Sequence, residues 1–194
     1  ETWGFVPGRP FHQVGFPHAA IGIELTRHFL EQGARRIRFA MRAAPEDFRA
    51  QQRVHGYADA MKSAGLVPDI EASSLTDEFE AGVQILERLA SQPAAQRPQA
   101  VIFASDNMAA GAILEAPSHG LRFPEDVAVA GFGDAPIAAR LHPSLTTVRP
   151  QPYQIGLKAA QLVMALKQHG QRELPPELHV IPCKLVVRES SRMR

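Results

Sequence analysis

Val101-Ile102-Phe103-Ala104-Ser105-Asp106-Asn107-Met108-Ala109-Ala110-Gly111-Ala112 sets a short apolar run directly against a helix start. Four apolar residues in a row are too few for a buried helix and suit a strand covered on both faces. Ser105 then stands where an N-cap is wanted, with Met108, Ala109 and Ala112 at helical spacing behind it. Similar units lie on either side. Arg36-Ile37-Arg38-Phe39-Ala40-Met41 and Asp126-Val127-Ala128-Val129-Ala130-Gly131 read as further buried strands. Strands that alternate with helices predict an α/β protein built on a largely parallel sheet.

The intervening helices are legible from their periodicity. Ile21, Leu25 and Phe29 line one face of a helix that stops at Gly33. A longer helix is expected from about Glu46 to Ala64, with Val54, Tyr57 and Met61 on its apolar face and Gly65 as its stop. Phe79, Val83, Leu86 and Ala90 form another stripe, a weak strand falls near Ile70, and Ile155, Ala159, Leu162, Val163 and Leu166 mark a late helix. Pro117 is expected to end the helix that follows Ser105. Pro143, Pro150 and Pro152 interrupt regular structure between Leu141 and Tyr153 and mark a candidate crossing between lobes, with a second at Gly170 to Pro176.

With 194 residues, 45% of them hydrophobic, the chain is long enough to bury a core in one domain or two small lobes. A net charge of +1 from 21 basic and 20 acidic residues leaves no electrostatic footprint for a phosphate backbone, so DNA contact is not expected within this segment. Cys183 is the single cysteine, which excludes an intrachain disulfide and a thiolate zinc cage and fits a reducing compartment; the cytoplasm is the expected location. No apolar run approaches the roughly 20 residues that cross a bilayer, so no membrane partner is expected. Glu1-Thr2-Trp3-Gly4-Phe5 has neither an initiator methionine nor a signal-peptide pattern and reads as the start of a piece cut from a longer chain.

Ligands of open α/β sheets bind beyond the carboxyl ends of the strands. The residues found there are Arg42 after the first strand, Ser105 and Asp106 after the Val101 run, and Gly133 and Asp134 after the Ala128 run. Arg53, one to two turns into the long helix, is within reach of the same edge. Each also has a purely structural reading. Ser105 is an N-cap, Asp106 complements a helix dipole, Asp134 suits a turn, and Arg42, Arg49 and Arg53 are a solvated charged face. Enzyme motifs are missing: there is no G-x-S-x-G elbow, H-E-x-x-H helix or phosphate loop, and Pro136 occupies the third-glycine position after Gly131-Phe132-Gly133. The eight histidines are scattered with no metal pair on one helical face, so neither a metal nor a cofactor is expected.

The Val101–Ala112 run resembles the strand-to-helix signature of the lactose-repressor (LacI/GalR) family. Gly120-Leu121-Arg122-Phe123-Pro124-Glu125-Asp126-Val127, Gly131-Phe132-Gly133-Asp134 and Pro143-Ser144-Leu145-Thr146-Thr147-Val148 follow in that family's order. Gly33-Ala34-Arg35-Arg36-Ile37, Arg53-Val54-His55-Gly56-Tyr57 and Val186 to Ser191 extend the likeness over essentially the whole chain.

The resemblance implies a two-lobed fold similar to periplasmic sugar-binding proteins, with 35–142 and 177–194 in the C-terminal lobe and 1–34 and 145–171 in a partial N-terminal lobe. It implies a homodimer that binds a small-molecule effector and meets operator DNA only through an N-terminal helix-turn-helix head absent from this sequence. Arg53 matches the family's ligand-contacting arginine. Ser105 replaces a frequent Asn and Gly133 a frequent Asp. Phe79, or Leu75, is the expected apolar wall, and Phe16 and His18 are expected on the other lobe. The lost carboxylate, together with Arg42, Arg49 and Arg53, points to a sugar derivative that is anionic or has fewer hydroxyls. Two rivals of other classes are a transporter's solute-binding protein, since fold does not fix function, and an α/β enzyme using His142, Asp134 or Ser105.

Overall fold

The computed structural model describes residues 3–168 and 175–193. Its body is a six-stranded sheet ordered β3-β2-β4-β5-β6-β8, formed by β2 (Ile37–Arg42), β3 (Asp69–Ser73), β4 (Ala100–Phe103), β5 (Ala128–Phe132), β6 (Thr146–Arg149) and β8 (Lys184–Val186). Neighbours are parallel except β6 and β8, whose pairing is antiparallel. Every residue of β4 is buried, as a central parallel strand covered on both faces requires.

The helices are α1 (His18–Glu31), α2 (Phe48–Ser63), α3 (Glu78–Ser91), α4 (Asp106–Glu115) and α5 (Pro152–Gln168). The chain leaves β2 toward β3, then returns across β2 to β4 and β5. Right-handed crossovers therefore put α2 on one face and α3 and α4 on the other. α1 packs on α2, and α3 on α4. The α1–α2 contact is backbone to backbone: a Cβ on Gly56 would stand 1.9 Å from the Ala19 carbonyl oxygen, and one on Gly22 would stand 2.0 Å from that of Arg53. Only glycine permits that approach, which brings the start of α1 beside Arg53.

Local signals set the helix ends. The Asp47 and Asp77 side chains accept from the Ala50 and Glu80 amides at 3.0 Å, capping α2 and α3. α4 ends at Glu115, just before Pro117, as the sequence predicts, and the chain continues in a 3-10 turn, Ala116–His119. Of the late apolar stripe, Ile155 is buried, whereas Val163 in α5 remains 57% exposed.

The sequence reading groups 1–34 with 145–171, yet α1 packs on α2 and β6 is hydrogen-bonded to β5, so both belong to the body of the large sheet. Pro143 precedes a buried strand of the large sheet, Thr146–Val148, and the chain leaves that sheet for α5 across Pro150 and Pro152, within the stretch from Leu141 to Tyr153. The second grouping consists of β1 (Gln13–Gly15), β7 (Leu178–Val180) and α5: β1 and β7 form a separate two-stranded parallel sheet, and α5 touches β1. The crossing expected at Gly170 to Pro176 lies, up to residue 174, outside the described residues.

Candidate functional site

The strand order reverses at β2 and β4, and the carboxyl ends of β2, β4 and β5 open there onto a cavity of about 280 Å³. Arg42 and Arg49 line it after β2, Ala104 and Ser105 after β4, and Phe132 and Gly133 at the end of β5. Arg53 enters from α2, and Trp3, Phe16 and His18 close the opposite side.

Arg53 is the centre of the site. Its side chain is buried, and its Nη1 donates to His18 Nδ1 at 2.8 Å while Nη2 donates to the Ala104 carbonyl at 3.1 Å. Because His18 Nδ1 accepts, the ring proton sits on Nε2 and donates to the Trp3 carbonyl at 2.6 Å, which fixes the tautomer through its two partners. Burial first, and then the Arg53 charge, push the His18 imidazole down to about 4, so it is neutral near pH 7. Burial lowers the Arg53 guanidinium to about 10, and the cation persists. Its Cζ lies 4.3 Å from the Phe132 ring centroid, a cation–π arrangement that compensates part of the desolvation. Arg53 Nε is shielded from solvent and has no hydrogen-bond partner. The Phe16 ring lies tilted against His18 and Phe132, with centroids 4.6 Å and 6.1 Å away, which gives the cavity an aromatic wall.

Seven of the residues singled out in the sequence line this cavity: Arg53, Ser105, Gly133, Arg42, Arg49, Phe16 and His18. Two of them have further tasks: Ser105 Oγ accepts from the Met108 amide at 3.3 Å as the α4 cap, and Arg42 Nη1 donates to the Thr76 carbonyl at 2.7 Å.

Three candidates lie elsewhere. Asp106 is buried behind the wall, accepting from Thr147 Oγ1 at 2.6 Å and the Ala135 amide at 2.7 Å, and burial raises its carboxyl above the usual range. A Cβ at position 131 would stand 2.4 Å from Asp106 Oδ1, which accounts for Gly131. Asp134 turns away to Arg188, at 2.6 Å, and to Arg149; burial pushes its carboxyl up, but the two guanidiniums outweigh it and hold it low. Phe79 sits at the α3–α4 crossing, where its carbonyl would be 2.2 Å from a Cβ on Gly111. Leu75 is 39% exposed and outside the lining.

The lining residues not anticipated include Trp3, Asp47, Glu78, Met108 and Phe132. Phe132 was available to the strand-end rule, as the last residue of β5. Trp3 and Glu78 reach the cavity only through tertiary packing. A larger cavity, about 860 Å³, lies between Ala116–Phe123 and Glu189–Met193, beyond the far end of α4. His142 lines that one, Ser105 the smaller one, and Asp134 neither, so the three residues of the enzyme reading do not meet.

This is an open α/β domain with a polar-and-aromatic cleft at its switch point. The periplasmic binding protein-like domain matches residues 26–191. The transcriptional repressor CytR of Escherichia coli is 30% identical over 190 residues, covering 97% of this chain and 54% of the repressor. The regulator CelR of Thermobifida fusca is 33% identical over 187 residues, covering 95% and 53%. Among solved structures, a LacI family transcriptional regulator from Silicibacter pomeroyi superimposes with a TM-score of 0.84 at 28% identity, covering 99% of this chain and 68% of that one. The chain belongs to the periplasmic binding protein-like family, as an effector domain of the LacI/GalR type. It spans about half the length of these curated relatives. Among the described residues no helix is long and apolar enough to cross a membrane.

Proposed function

We propose that this chain is the effector-binding and dimerisation region of a cytoplasmic LacI-type transcriptional regulator. A small molecule in the Arg53 cleft favours one arrangement of the regulator over another. By linkage it then changes operator affinity at DNA-binding heads outside this sequence. The protein acts by binding and breaks no bond. The observation that carries this reading is the cleft itself: a buried arginine with an unpartnered Nε, flanked by Phe132 and Phe16, at the strand ends where α/β folds bind ligands.

The lining supports one class of effector. Three guanidiniums face two carboxylates, Asp47 and Glu78, which favours a hydroxylated compound carrying a carboxylate or phosphate, such as a sugar acid or phosphosugar. Asp134, the strand-end acid next to Gly133, is occupied by Arg188 and Arg149.

Calorimetric titration against neutral sugars, sugar acids and phosphosugars tests the proposal. An anionic member is expected to bind, and Arg53→Ala to weaken it roughly 10- to 100-fold, the worth of one charge-assisted hydrogen bond. Tight binding of a neutral sugar that is indifferent to Arg53→Ala would overturn the assignment.

A further inference from the structure

The parallel pairing of β1 with β7 assembles a cluster that no helical spacing shows. Gln13 registers with Leu178, so His12 and Glu177 are neighbours across the two strands, and His179, two residues on, points to the same side as Glu177. His12, Glu177 and His179 each offer one ligand atom, and these atoms all lie within 4.8 Å of one another. The two imidazole rings are tilted together with centroids 5.9 Å apart.

From this arrangement we infer that the His12–Glu177–His179 cluster is a binding site for a divalent transition-metal ion of the Zn²⁺ type. Two neutral imidazoles and one carboxylate are the donor set such ions prefer, and three protein ligands leave a fourth position for water or another donor. One pair of the three already has the spacing such a site needs. Two atoms bound at about 2.05 Å in tetrahedral directions lie about 3.3 Å apart. His179 Nε2 and Glu177 Oε2 are 3.3 Å apart.

The cluster has no internal hydrogen bond that explains this closeness. His179 Nε2 is shielded from solvent and makes no hydrogen bond, although a carboxylate stands beside it. A buried nitrogen without a partner is costly, and a metal ion would satisfy it together with the carboxylate. The other contact is weak: the Glu177 amide donates to His12 Nδ1 at 3.3 Å, a bond given up at little cost when the ring turns to a metal. The ion would clamp residues 165 positions apart in sequence and lock β1 onto β7.

Zn²⁺ alone, titrated calorimetrically into the chelator-treated chain, tests the site, with Co²⁺ absorption as a report on the ligands. One Zn²⁺ per chain is expected, with Co²⁺ bands free of thiolate charge transfer. His12→Ala and His179→Ala are each expected to weaken binding at least about tenfold. His55→Ala, on the exposed side of α2, and Cys183→Ser keep full affinity. Zn²⁺ is also expected to raise the melting temperature of the parent chain but not of His12→Ala, so a variant that folds poorly is separated from one that has lost a ligand. Absence of Zn²⁺ binding, or equal affinity in the parent, His12→Ala and His179→Ala, would overturn the inference.

Discussion

Replacing His18 by Gln isolates the protonation cost at the heart of the cleft. The imidazole is 1% exposed, with the Arg53 guanidinium at 2.8 Å from Nδ1 and the Trp3 carbonyl at 2.6 Å from Nε2. A second proton would have to sit on Nδ1, facing a cation in a desolvated site. The folded pKa is therefore about 4 against 6.5 for the free side chain. Between those values the unfolded chain binds the extra proton, so stability is full above the unfolded pKa and falls as the pH drops toward the folded one. The two values give a loss of about 2 kcal/mol between pH 7 and pH 5, from the proton taken up by the unfolded state alone. Urea unfolding of the parent and of His18→Gln at both pH values measures it. Other titrating groups, His28 and Asp106 included, cancel in the difference between the two proteins. The parent is expected to lose about 2 kcal/mol more than the variant over that interval. Equal losses would refute the buried neutral imidazole and the Arg53 contact that depends on it.

Gly56→Ala forces a Cβ to within 1.9 Å of the Ala19 carbonyl and is expected to lower stability by about 1–3 kcal/mol in the same unfolding assay. Asp106→Ala strands the Thr147 hydroxyl and the Ala135 amide and is expected to cost about 2–4 kcal/mol in urea while effector affinity, measured by calorimetry, is retained. Cys183, whose thiol burial and then Glu24 push up to about 12, is expected to react slowly with a disulfide reagent in the native protein at mildly alkaline pH and quickly in urea.

The central architecture was legible because a buried parallel strand and a capped amphipathic helix each carry a local signature. Val101 to Phe103 and Ser105 delivered β4 and the α4 cap where they stand. The strand-end rule also found Arg42, Ser105 and Gly133, since those positions follow directly from knowing where strands stop. It failed for Asp106 and Asp134, which share that edge but point elsewhere. Which way a carboxylate turns depends on Thr147, Arg149 and Arg188, supplied by distant parts of the chain. The prolines around Thr146–Val148 left the placing of that strand open, because an isolated strand between breakers looks the same in either sheet; the partner strand decides, and it lies outside the stretch. The same reason hid the pairing of β1 with β7, whose three-residue strands are too short for periodicity to register.

Trp3 is the single tryptophan of the chain, and it lines the Arg53 cleft, so its fluorescence reports on that cavity alone. The most direct test of the account is to follow Trp3 emission while adding the compound that gives heat in calorimetry. The expected result is a saturable change with the calorimetric affinity that Arg53→Ala abolishes; binding that leaves Trp3 emission unchanged would place the effector elsewhere and contradict the account.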